Sequence, residues 1–178
     1  MWKTCWDYSF FLASDFNPAQ LITYMFMHAN FQHIFLTCLP CGCLVGCLNK
    51  FGVLSDFLFY YILCGIGAGL IQEAVQYTEY LVSWSHYDGV DTGMGVIPMA
   101  EFLNRLNTVG ASGAVYAILL AFGMLFPNSQ MFIFPLPMPI KAKYFVIGYA
   151  VLELVLGIAG GDGVAHFAHL GGMLLVLF

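Results

Sequence analysis

The amino-acid sequence predicts an all-α fold, a polytopic bundle of membrane helices, and three observations carry that expectation. Of the 178 residues, 61% are hydrophobic and 8% are charged, where a soluble domain of this size carries about 25% charge. The mean hydropathy is +0.83, which leaves too little polar material to cover a water-facing surface. The apolar residues also fall into about five long segments, separated by runs of proline, glycine and polar residues. The net charge of −5 and the lack of a basic run argue against nucleic acid as a partner. The expected surroundings are a lipid bilayer.

Residues 1–20, "MWKTCWDYSFFLASDFNPAQ", lack the pattern of a signal peptide, because Asp7 and Asp15 interrupt the apolar patch and no cleavage site follows. The first apolar segment runs from about Leu21 to Leu48. It holds "CLPCGCLVGC", with a C-x-x-C at Cys38 and Cys41. No second C-x-x-C and no histidine at finger spacing accompany it, so these cysteines read as small apolar residues of a membrane helix. The second segment, Phe57 to Val82, is long enough to span. A polar, glycine-containing loop from Ser83 to Asn107 follows. The third segment, about Thr108 to Phe126, and the fourth, Lys143 to Gly160, are expected to span as well. "PNSQMFIFPLPMPIKA" lies between them, and its four prolines mark a surface connection. The fifth segment, Val164 to Phe178, is short for a span.

Basic residues set the expected orientation. Lys50, Lys141 and Lys143 fall on one side of the alternating segments, Lys3 and Arg105 on the other. The Lys141 side is therefore assigned to the cytoplasm and the N-terminal tail to the exterior. An external N-terminus without a signal sequence is awkward to insert, so the chain is expected to be short of a preceding helix and to end within its last one.

Polar groups inside apolar segments are costly and are candidate functional groups. His28 and His33 lie in the outer part of the first segment, Ser112 opens the third within "GASGA", and His166 and His169 open the fifth. By alternation all three segments start on the external side. Ser112 and His169 then sit at similar depth, roughly 6–8 Å below the start of their helices. A serine attacks an amide only when a base takes its proton, and histidine is the natural base near neutral pH. His33 and Thr37 share a face at i, i+4 and can donate to an oxyanion, together with the Ser112 backbone N–H. Tyr116, four residues after Ser112, can pack against the base. Two other readings stay open here. "GASGA" also suits a small-residue helix contact, and it departs from the G-x-S-x-G elbow at Ala114. His166 and His169 share a face and could join His28 and His33 as metal ligands, although no carboxylate or thiolate is evidently placed to complete the set. Glu73 and Glu153 are expected near helix ends or paired, without an assigned role.

"GASGAVYA" followed by "AHLGG" resembles the rhomboid family of intramembrane serine proteases. The G-x-S-G motif of that family falls on Ser112, and its A-H-x-x-G pattern selects His169 as base, leaving His166 as the alternative. Its H-x-x-x-N pattern falls on His33 and Thr37, and His28 in "MHANFQH" matches a recurrent family histidine. The resemblance implies a bacterial-type six-helix core with a Ser–His dyad, supported by Gly110, His28, His33, Thr37 and Tyr116. It implies one domain over residues 1–178, with 1–20 as tail and partial loop and 21–178 as helical core. The implied reaction is hydrolysis of peptide bonds in or near transmembrane segments of substrate proteins. The implied cavity opens outward from a multi-pass protein of the bacterial inner membrane, with no metal or organic cofactor. Three departures stand out: the family's first helix is absent, Thr37 replaces asparagine, and Val176 replaces the glycine that lets the last helix approach the nucleophile's helix. These motivate an alternative, a pseudoprotease that binds transmembrane clients without cutting them. A histidine-lined transporter or channel is the third reading. The substrate and the oligomeric state are not readable from the sequence.

Overall fold

The computed structural model describes residues 4–49, 54–93, 95–132, 138–160 and 163–177. The chain is mostly helical, in line with its apolar segmentation. Five helices make up the body: α2 (Phe31–Asn49), α3 (Leu54–Glu79), α5 (Ser112–Leu125), α6 (Ala142–Ala159) and α7 (His166–Leu175). Two short helices, α1 (Gln20–Thr23) and α4 (Met99–Leu103), lie in the connections, and α3 runs on into a π-helical turn at Tyr80–Trp84. Three two-stranded antiparallel pairs accompany them. β1 (Tyr8–Ser9) pairs with β4 (Asn107–Thr108), β2 (Gly89–Asp91) with β3 (Val96–Pro98), and β5 (Gln130–Met131) with β6 (Ile140–Lys141).

Helix boundaries differ from the apolar segments in two instructive places. The first segment is expected to be helical from about Leu21, yet α2 starts at Phe31, and residues 20–26 form α1 and a 3-10 turn (Tyr24–Phe26). Glycine trims the third segment. Gly110 has φ +110°, a conformation that side-chain-bearing residues rarely adopt, so the helix cannot begin before it. α5 is therefore 14 residues long, about 21 Å, and falls short of the expected full span. Among the described residues, Phe57–Trp84 and Ala142–Ala159 are long and apolar enough to cross a bilayer. α6 presents Ile147, Val151, Leu154, Val155 and Ile158 on its exposed surface. That apolar exterior suits lipid better than water.

Residues 4–20 are packed rather than trailing. Phe10 is fully buried, and the Phe11 N–H donates to Glu73 on α3. The Gln20 side chain ties this strap together: Oε1 accepts the N–H groups of Ser9 and Asn17, and Nε2 donates to the carbonyls of Cys5 and Asp15. Tyr24 links the strap to both sides of the site, since its hydroxyl donates to the Gly65 carbonyl at 2.6 Å and its carbonyl accepts the Gly110 N–H at 2.8 Å. The start of α5 is thus anchored from the N-terminal strap.

α5 and α7 cross at glycines. A Cβ on Gly172 would lie 2.0 Å from the Gly113 carbonyl oxygen, one on Gly113 would lie 2.6 Å from Cβ of Ala68, and one on Gly171 would lie 2.8 Å from Cβ of Ile71. The close approach is made here, before Val176 at the end of α7. Valine at that position therefore does not hold α7 away from α5. A core of Leu44, Ile118, Leu119, Phe122, Ala142, Val146 and Met173 fills the space beneath.

Candidate active site

Ser112 is the first residue of α5, at the end where helix amides lack internal partners. It follows the Gly110–Ala111 turn, so its side chain leaves the helix half-buried beside α7. His169 lies one turn into α7 and is buried. The glycine crossing brings the two together: Ser112 Oγ lies 2.7 Å from His169 Nε2. Within "GASGA", Gly113 makes the small-residue contact with α3 and α7 while Ser112 faces the histidine. Tyr116, one turn along α5, lies flat on the His169 ring, with centroids 4.3 Å apart and planes at 4°.

The other ring nitrogen of His169 meets a residue to which the sequence assigns no role. Nδ1 lies 2.8 Å from Oε2 of Glu153, a buried residue of α6. The same oxygen lies 2.6 Å from Nδ1 of His166, and the Tyr116 hydroxyl donates to Oε1 at 2.5 Å. Glu153 is paired, as expected, but in the interior of α6 rather than near a helix end. Gly157 helps to place it, because a Cβ there would come within 3.2 Å of Cβ of His166. His169 is thus the histidine that meets the serine, and His166, the alternative base, turns its Nδ1 to the carboxylate. One sequence signal could have found Glu153: an isolated acid in an apolar run wants a partner, and the next apolar segment opens with a histidine pair.

The metal reading acquires its missing carboxylate in this cluster. Glu153, His166 and His169 offer ligand atoms that all lie within 4.8 Å of one another. Two of those spacings, 2.6 and 2.8 Å, are hydrogen-bond lengths. Ligands on a tetrahedral ion at about 2.0–2.1 Å stand roughly 3.4 Å apart, so a metal would require the cluster to open. His28 and His33 lie outside this set.

On the α2 side, the residues around the serine are arranged more openly. The His33 ring packs against Gly110: a Cβ on that glycine would sit 2.7 Å from His33 Nε2. The Ala29 N–H donates to His33 Nδ1 at 3.3 Å. With Nδ1 accepting, the neutral ring carries its proton on Nε2, beside the turn that leads to Ser112. His28 packs edge-on against His33 at 5.3 Å between centroids. Its Nε2 is buried without a hydrogen-bond partner among the described residues. Thr37 is buried on the wall of a cavity of about 220 Å³, shared with Met25, His28, Cys38, Tyr61 and Ala111.

The structure therefore gathers Ser112, His169 and Tyr116 into one contact set, places Gly110 and His33 beside it, and puts His28 and Thr37 around the adjoining cavity. A family model described as Rhomboid domain matches residues 16–178 of the chain. No curated protein and no solved structure matches it.

Proposed function

Because the chain belongs to the rhomboid family of intramembrane proteases, integral membrane proteins that act on transmembrane substrates, we propose that it is a serine endopeptidase cutting in or near transmembrane segments. The carrying observation is the 2.7 Å separation of Ser112 Oγ from His169 Nε2, which is the reach a general base needs. Ser112 Oγ attacks the peptide carbonyl carbon while its proton passes to His169 Nε2. The carbonyl oxygen becomes an oxyanion at the N-terminus of α5, where the helix dipole favours negative charge and the Ser112 N–H serves as a backbone donor. His33 Nε2–H is the side-chain donor and Thr37 supports it from the cavity wall. His169 then protonates the leaving amine as the C–N bond breaks. Water attacks the resulting ester, giving its proton to His169, and Ser112 is regenerated with its own proton restored. No metal or organic cofactor enters this sequence.

The protein acts as a multi-pass component of the bacterial inner membrane, with the Ser112 end of its helices toward the external side. Residues 1–178 act as one domain in which 4–26 brace the site. The test uses the full chain in detergent micelles or liposomes. A fluorophosphonate probe is expected to label the protein, and Ser112→Ala to abolish both labelling and cleavage of a transmembrane substrate with a weakened helix. Labelling that persists in Ser112→Ala sinks the assignment. Binding of transmembrane clients without Ser112-dependent cleavage replaces it with the pseudoprotease.

A further inference from the structure

We propose that Glu153 is a positioning residue for His169, holding the imidazole with Nδ1 protonated and Nε2 free to accept the Ser112 proton, so that the site works as a Ser–His–Glu triad rather than a dyad. The inference rests on the protease reading of Ser112 and His169 and deepens it.

A neutral imidazole has two tautomers, and only one is useful here. With the proton on Nε2, His169 offers Ser112 a donor and cannot take its proton. A carboxylate that accepts from Nδ1 selects the useful tautomer, fixes the ring plane and faces the positive charge that forms during attack. Oε2 of Glu153 stands 2.8 Å from that nitrogen. The line from Ser112 Oγ through the ring to Glu153 is continuous, with a short contact at each end.

The carboxylate is itself held from three directions. The Tyr116 hydroxyl donates to Oε1, and Oε2 is shared between His166 and His169. Tyr116 therefore acts twice, as a flat surface beneath the His169 ring and as a donor to the acid that orients it. A buried carboxylate is tolerated only when its oxygens are satisfied, and these partners supply that. A residue that only joined α5, α6 and α7 would have no need to meet the ring nitrogen opposite the serine. Glu153 remains a carboxylate throughout: the proton moves between Ser112, His169 and the leaving group, and Nδ1 keeps its own.

The experiment is ¹⁵N NMR of histidine-labelled full chain in micelles at mildly alkaline pH, alongside kcat and KM for a transmembrane substrate, with the signals lost in His169→Gln assigned to His169. The wild type is expected to show His169 protonated at Nδ1. Glu153→Gln is expected to move the proton toward Nε2 and to lower kcat by roughly 10²–10⁴ with little change in KM. Glu153→Asp is expected to keep the tautomer and part of the rate. A wild-type His169 protonated at Nε2 overturns the proposal without requiring any variant to fold. So does a Glu153→Gln enzyme with the wild-type tautomer and kcat within about threefold, an outcome that leaves the protease reading intact. A wild type that neither labels nor cleaves overturns the protease reading instead, and the tautomer in the wild-type and Glu153→Asp spectra still decides what Glu153 does.

Discussion

The two walls of the site are built on different physical principles. On the α5–α6–α7 side, Ser112, His169, Glu153, His166 and Tyr116 meet through contacts of 2.5–2.8 Å. The helices behind them touch backbone to backbone at Gly113 and Gly172. On the α2 side, His28 has a buried nitrogen without a partner among the described residues, Thr37 borders a cavity, and Phe31, Phe35, Leu36 and Leu39 are exposed. The difference matches what the proposed mechanism asks of each wall. A base is oriented before the substrate arrives, through hydrogen bonds made within the protein. Oxyanion donors stay available to a substrate.

The comparison breaks most severely if the tight wall is forced apart. Gly172→Ala places a methyl group 2.0 Å from a backbone oxygen, which only separation of α5 and α7 relieves. Overpacking of this kind costs about 1–3 kcal/mol. The variant is expected to melt earlier and to lose fluorophosphonate labelling, whereas Gly42→Ala, with open space around it, is expected to change neither. His33→Ala tests the open wall. If His33 is the oxyanion donor of the proposed mechanism, its loss is expected to lower kcat by roughly 10²–10³, while thermal stability is expected to hold because His33 is partly exposed. A fall in stability instead would make His33 part of the frame. Tyr116→Phe keeps the stacked ring and removes the donor to Glu153. A kcat loss near tenfold is expected, the scale of one hydrogen bond of about 1.5 kcal/mol to a charged group, with KM unchanged. Thr37→Asn is the mildest change, since the adjoining cavity has room for the longer side chain. It is expected to raise kcat by a few fold, and a loss would show that Thr37 fills the wall rather than donating from it.

Different parts of the molecule were legible in the sequence to different degrees. The apolar segments located the five long helices found among the described residues, because sustained hydropathy is summed over many residues and survives local error. Their ends were less readable. Leu21 to Asn30 is as apolar as a helix, yet the strap bonds of Gln20 and Tyr24 hold it in short turns. The start of α5 was set by a backbone conformation at Gly110 that composition does not reveal. Residues 4–20, expected as a tail, are packed because Phe10 and Phe11 find partners far along the chain, at the Leu106 carbonyl and the Glu73 carboxylate. Expected interruptions inside residues 133–137 lie outside the described residues.

What the sequence determined by itself is a helical membrane protein whose polar residues are few enough that each one is a candidate for chemistry. Depth along the helices offered Ser112 and a histidine of the last segment as partners, and it was the resemblance to the family's motifs that singled out His169 over His166. Tertiary structure alone decided the rest. Glu153 is 37 residues from Tyr116 and 16 from His169, and nothing local aims it at either. Only the crossing of α5, α6 and α7 at their small residues turns a lone acid in an apolar helix into the partner of a histidine. The closeness of that crossing is a property of three surfaces together, which no single segment encodes.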